Sequence, residues 1–147
     1  MKKNKIFFNS PAIIGNEIKN ISRLKHFSSN GKYSKECSNW LKKNIKCKEA
    51  LLVNSCTAAL EMCAILLDIK PKDEIIMPSF TFVSTANAFV LRGGLPVFVD
   101  IDPETLNINP ENITKAITKK TKAIVVVHYA GISCDMDPII KIAKKYK

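Results

Sequence analysis

Glu74-Ile75-Ile76-Met77-Pro78-Ser79-Phe80-Thr81-Phe82-Val83-Ser84-Thr85-Ala86-Asn87-Ala88-Phe89-Val90-Leu91-Arg92-Gly93-Gly94-Leu95-Pro96-Val97-Phe98-Val99-Asp100 is the stretch that decides the fold. Residues 74–77 form a short apolar run stopped by Pro78, which reads as a buried strand. Residues 82–91 have the composition of a helix closed by Gly93-Gly94. Residues 96–100 are a second apolar strand. Strand, helix and strand in succession are one unit of a parallel sheet.

The same alternation extends both ways. Upstream, residues 50–53 read as a strand ending at Asn54-Ser55, and residues 57–67 as a helix apolar on almost every side, hence buried, with Cys63 in the core. Downstream come the turn residues Asp102-Pro103-Glu104-Thr105, a helix over 110–118 and a strand over 122–127, the clearest candidate for a buried one. A last helix starts at Asp137 with Pro138 at its first position and carries no stop signal, so the domain is expected to be incomplete. Four strand–helix units imply an α/β fold, a parallel sheet covered on both faces with right-handed crossovers. Before residue 49 the pattern differs. Two amphipathic helices, over 16–27 and 34–45, are joined by Ser28-Ser29-Asn30-Gly31. The expected organisation is a helical arm, 1–48, and an incomplete α/β domain, 49–147.

Composition excludes several classes. A chain of 147 residues fits one domain or part of one, and 46% hydrophobic residues suffice for a globular core. The longest apolar stretch, residues 58–67, is interrupted by Glu61 and falls short of the ~20 residues that span a bilayer. After Met1-Lys2-Lys3 the apolar run Ile6-Phe7-Phe8 is broken by Asn9-Ser10-Pro11, so no export signal is expected. The net charge of +10 raises nucleic acid as a partner, but it divides into +9 over 1–50, −4 over 51–110 and +5 over 111–147. The basic side chains are 21 lysines with Arg23 and Arg92 alone as arginines, a solvated face rather than a phosphate-reading one. Five cysteines without a C-x-x-C spacing, and His26 and His128 far apart, give neither a zinc site nor a disulfide framework. Free thiols fit a reducing cytoplasm.

Three segments at strand ends could carry chemistry. Ser55-Cys56-Thr57-Ala58-Ala59 opens a helix, where unpaired amides and the positive helix end favour a phosphate. The bland reading of Ser55 as an N-cap stands equally. Pro78-Ser79-Phe80-Thr81-Phe82-Val83-Ser84-Thr85 offers hydroxyls and an aromatic platform suited to a flat cofactor, with Phe80 preferred as a core residue. His128-Tyr129-Ala130-Gly131 places an imidazole where it can hydrogen-bond a ligand oxygen. With only five glycines, the chain has neither G-x-G-x-x-G nor a Walker-type loop.

Taken in order, Ser55-Cys56-Thr57-Ala58-Ala59-Leu60, residues 77–88, Pro96-Val97-Phe98-Val99-Asp100, Val127-His128-Tyr129-Ala130-Gly131 and Asp135-Met136-Asp137 resemble the N-terminal part of the DegT/DnrJ/StrS sugar-nucleotide aminotransferases. The branch resembled most makes TDP-4-amino-4,6-dideoxygalactose from a TDP-linked 4-keto-6-deoxyhexose for enterobacterial common antigen, a lipopolysaccharide-related polymer. The resemblance implies the front of the large domain of a fold-type-I transferase, a truncated three-layer α/β/α unit. It implies pyridoxal 5'-phosphate (PLP) as cofactor, glutamate as amino donor, and a cytoplasmic homodimer with no nucleic-acid or membrane partner. It carries the phosphate contact to the amides of Thr57 and Ala58 beside Ser55, with Cys56 where many relatives have glycine. It carries the ring-stacking aromatic to Phe82 and, more loosely, a contact near the ring hydroxyl to His128. It puts the cofactor-linking lysine and the aspartate partner of the ring nitrogen after residue 147, so no catalytic residue is expected in this chain, which alone should not transaminate. Two alternatives are a pyridoxamine-phosphate-dependent sugar dehydratase of the same family and a non-catalytic binding module.

Overall fold

The computed structural model describes residues 10–24 and 30–146. They divide between Leu52 and Val53 into two compact units. The first holds helices α1 (Glu17–Ser22) and α2 (Lys32–Ile45), neither of which buries a residue. Ahead of α1, the Glu17 carboxylate accepts the amides of Ile14 at 2.9 Å and Gly15 at 2.8 Å, and these bonds, that of Ile14 first, hold its carboxyl below the usual range. Helix α1 is shorter than the 16–27 reading. It ends at Arg23, and residues 25–29 lie outside the described residues. Helix α2 closes on Lys46 in the left-handed region at φ 58°.

The second unit contains α3 (Cys56–Leu66), β1 (Glu74–Pro78), α4 (Ser84–Val90), β2 (Leu95–Val99), α5 (Pro110–Ala116), β3 (Thr121–Ile124) and α6 (Met136–Tyr146). The strands are all parallel, in the order β2-β1-β3. Strand β1 is central. Its residues Ile75, Ile76 and Met77 are all 0% exposed, and successive side chains point to opposite faces. Ile75 and Met77 therefore join Ala64, Ile69, Ala88 and Phe89 in one cluster, while Ile76 joins Val99, Ile108, Ile113, Cys134 and Ile139 in the other.

The strand expected over 50–53 is absent. That segment has no ladder partner among the described residues, and an apolar run becomes a strand only when a neighbour pairs it. Helix α3 is also less buried than its apolar composition implies. Only Ala64 is buried, with Leu60 one turn earlier packed against the same cluster, and Cys63 is exposed rather than in the core. The strand read over 122–127 is confined to Thr121–Ile124, and its side chains are no more than half-buried because β1 pairs it on one side only. Its ladder nevertheless runs on to Val125, whose amide donates to the Ile76 carbonyl at 2.8 Å.

Gly93 shows why a glycine follows α4. Its φ is +85°, and an added Cβ would come within 3.0 Å of the Pro71 Cα, in the turn whose Lys72 amide donates to the Gly93 carbonyl. Gly131 has a similar φ of +84° but open space around it. Gly131→Ala should therefore cost only the left-handed backbone penalty, about 1 kcal/mol. Gly93→Ala adds overpacking against backbone and should cost at least about 2 kcal/mol. Urea midpoints of the two variants measure this, and equal losses would mean that the Pro71 turn yields to the methyl group.

Candidate functional site

Every candidate residue lies in the second unit, at helix starts or just beyond strand ends. Ser55, extended at φ −160° and ψ 159°, caps α3, its Oγ accepting the Ala58 amide at 3.1 Å. The Ser55 carbonyl takes the Ala59 amide at 3.1 Å. Among the described residues the amides of Cys56 and Thr57 have no acceptor, so the free first-turn donors are these two, and the Ala58 amide is already engaged. Thr57 Oγ1 donates to Ser84 Oγ at 3.1 Å, joining the first turns of α3 and α4. Two free amides, the positive end of α3 and the Ser84 hydroxyl make a cradle for an anion.

Two residues before Ser84 the Phe82 ring is 74% exposed, an apolar flat surface open to a ligand. On either side of it in the chain, Thr81 and the buried Thr85 share a hydroxyl hydrogen bond of 2.9 Å. Phe80 is not a core residue. It is 42% exposed, and its ring meets that of Tyr129 with centroids 4.6 Å apart and planes at 38°. The turn after β1 thus packs on the turn after β3 through an aromatic pair.

His128 is exposed, and its Nδ1 accepts the Cys134 amide at 3.0 Å. That bond requires the neutral ring to carry its proton on Nε2, which makes His128 a hydrogen-bond donor. The Cys134 thiol donates to the Val127 carbonyl at 3.2 Å. Asn107, 4% exposed, accepts the Tyr129 amide at 3.1 Å and donates to the Ile132 carbonyl at 3.1 Å. Sequence reading passed over Asn107 and Cys134. The only sign of Asn107 is a polar residue between Leu106 and Ile108, with no period to mark it.

The structure thus brings Thr57, beside Ser55 and Ala58 in the first turn of α3, to the α4 start that follows Phe82, and brings Tyr129, next after His128 in the chain, to Phe80. Among the described residues no hydrogen bond joins the Thr57 group to the His128 group. Asp102 anchors the loop before Asn107. Its Oδ1 accepts the amides of Thr105 at 2.9 Å and Glu104 at 3.0 Å and the Thr105 hydroxyl at 3.1 Å, while its backbone amide donates to the Asn107 carbonyl at 2.8 Å. The Thr105 amide above all, with lesser help from the Thr105 hydroxyl and the Glu104 amide, holds the Asp102 carboxyl below its usual range against the opposing effect of desolvation.

The sequence profile of the DegT/DnrJ/EryC1/StrS aminotransferase family matches residues 12–147. The chain belongs to this family. As a family member it is 50% identical over 99 residues to the spore coat polysaccharide biosynthesis protein SpsC of Bacillus subtilis, covering 67% of this chain and 25% of SpsC. The aminotransferase of Psychrobacter cryohalolentis superposes with a TM-score of 0.88 at 34% identity, over 96% of this chain and 37% of its own. Spr1654 of Streptococcus pneumoniae, a candidate sugar aminotransferase solved in PLP and PMP forms, gives 0.86 at 33% identity, over 95% of this chain and 36% of its own. The α/β fold with a parallel sheet is that of these aminotransferases, and the chain spans about a quarter of SpsC and about a third of the solved structures.

Two outcomes follow for this DegT-family chain. Ser55→Ala removes the cap and should cost about 1 kcal/mol in a urea titration. Asp102, with its folded pKa lowered, contributes stability that is complete above about pH 4 and is lost as pH falls through the lowered value. Asp102→Asn should flatten the stability curve in that acid window. An unchanged curve would assign the acid loss elsewhere.

Proposed function

We propose that this chain forms the cofactor cradle of a PLP-dependent aminotransferase acting on a nucleotide-linked keto sugar. The finer reading is transfer from glutamate to a TDP-linked 4-keto-6-deoxyhexose, by a cytoplasmic homodimer. The observation that carries the proposal is the cradle at α3: free amides on Cys56 and Thr57, with the Thr57 and Ser84 hydroxyls 3.1 Å apart, and Phe82, its ring exposed, two residues before Ser84. A phosphate and a flat aromatic ring on one small molecule ask for these two features side by side. Family membership, the PLP and PMP forms of Spr1654 and the polysaccharide role named for SpsC support the same reading.

The residues divide the work. Cys56 and Thr57 amides and the Ser84 hydroxyl, oriented by the bond it accepts from Thr57 Oγ1, hold the phosphate, and their fixed dipoles do so without reorganising. The Phe82 ring packs on one face of the pyridine, keeping its plane constant and water off that face. His128, with Nδ1 occupied, offers Nε2–H to an oxygen of the ligand. When bound, PLP supplies the electron sink and the carrier on which the amino group passes from donor to acceptor. Residues 1–147 in this reading supply the cradle and the platform but no cofactor-linking lysine.

Titrations with PLP and with inorganic phosphate test the division. Thr57→Glu puts a negative charge in the cradle and should weaken both ligands by about tenfold or more. Phe82→Ala should weaken PLP and leave inorganic phosphate unchanged. If Phe82→Ala leaves PLP affinity intact, the ring does not lie on Phe82. With glutamate and a TDP-linked 4-keto-6-deoxyhexose, residues 1–147 alone should release no 2-oxoglutarate, and steady release would overturn that part.

A further inference from the structure

We propose that Asn107 is a positioning residue of the aminotransferase site, one buried amide that sets the turn carrying His128 and Tyr129. The proposal rests on the cofactor reading above and extends it to a residue that touches neither the phosphate cradle nor the Phe82 ring.

The turn needs an outside restraint. Tyr129–Gly131 is a single 3-10 turn in which Ala130 has φ 50° and Gly131 has φ 84°, two successive residues in the left-handed region. Glycine adopts that region freely, whereas alanine there is strained. Asn107 grips the turn at both ends, with Oδ1 on the Tyr129 amide and Nδ2 on the Ile132 carbonyl, each at 3.1 Å. A carboxamide is suited to this because one planar group both accepts and donates, which neither a carboxylate nor an aliphatic side chain can do. Asn107 is itself held, its amide donating to Thr105 Oγ1 at 3.3 Å and its carbonyl accepting from the Asp102 amide at 2.8 Å.

What the turn carries is functional surface. Tyr129 puts its ring against Phe80, two residues before Phe82. His128 immediately precedes the turn and Cys134 follows it, and the Cys134 amide on His128 Nδ1 decides which ring nitrogen bears the proton. If the turn relaxes, the Cys134 bond and the Tyr129 ring shift together, and the imidazole loses its fixed tautomer. The phosphate cradle at Thr57 hangs on Ser55 and Ser84 instead, so it should not feel the change.

Asn107→Asp tests this with little change of size. It keeps the acceptor for Tyr129 and sets an oxygen against the Ile132 carbonyl. Nitrogen-15 signals of the His128 ring at pH 8 should show one tautomer in the wild type and a mixture in the variant. PLP affinity should fall about tenfold while inorganic phosphate affinity stays the same. An unchanged tautomer with unchanged PLP affinity overturns the proposal, as does an equal loss of both ligands, which would mean general damage. Should the variant fail to fold, wild-type amide exchange decides: Tyr129 should be protected by Asn107, and exchange as fast as an unbonded amide overturns the role. A wild-type protein that binds neither PLP nor phosphate overturns the cofactor reading and this role with it, a result visible before any substitution is made.

Discussion

The second unit depends on the two-sided burial of one strand. Ile75, Ile76 and Met77 are all fully buried, and because they alternate in direction, β1 is the shared wall of two separate apolar clusters. Burying each such side chain contributes about 1.5–3 kcal/mol. A strand with solvent on neither face needs paired backbone along both edges, which β2 and β3 provide in parallel. Parallel pairing then sets the polarity of everything else. The carboxyl ends of the strands lie at one end of the sheet, so the turns after Pro78 and after Ile124 come to the same side, where Phe80 and Tyr129 meet.

The candidate site joins two kinds of physical chemistry. The half around Thr57 uses backbone amides and hydroxyls, groups whose charge does not change with pH, to meet a permanent anion. The half around His128 uses an imidazole whose donor is assigned by a hydrogen bond from the far side of its own loop. The first depends on where a helix begins. The second depends on tertiary contacts across more than twenty residues of sequence, from Asn107 to Tyr129 and Ile132. Both polar atoms of the Asn107 side chain have a partner, and a buried amide held at its oxygen and its nitrogen specifies a single geometry.

That division also explains what could be read in advance. The alternation of β1, α4 and β2 was legible because Pro78 and Gly93-Gly94 punctuate apolar runs of the right lengths, and the bounds came within about two residues, the usual scatter at element ends. The cradle was legible for a similar reason: Ser55 and Thr57 stand where a strand-like run gives way to a helix. Burial was legible only where a partner exists. Residues 50–53 and α3 are apolar enough for a core, yet Leu51 and Leu66 remain 68% and 75% exposed because composition states what a segment can bury and not what arrives to cover it. Asn107 and Cys134 escaped because their roles are set by residues distant in sequence, and a lone polar side chain in a loop carries no period.

The strand order has a consequence for how this chain comes into being. Both partners of β1 lie after it in sequence, so when Ile75, Ile76 and Met77 leave the ribosome neither edge can yet be paired. Residues 79–94 must be made before β2 can dock, and residues 100–120 before β3 can close the other side. At about 5–20 residues per second the most buried strand of the unit spends seconds unprotected. During that interval its guards are local: Glu74 on one side and Pro78 on the other, a charge and an imino acid that both discourage pairing with a stranger's edge. The residues that delimit β1 in the finished sheet are thus also those that keep a half-made chain from finding the wrong neighbour.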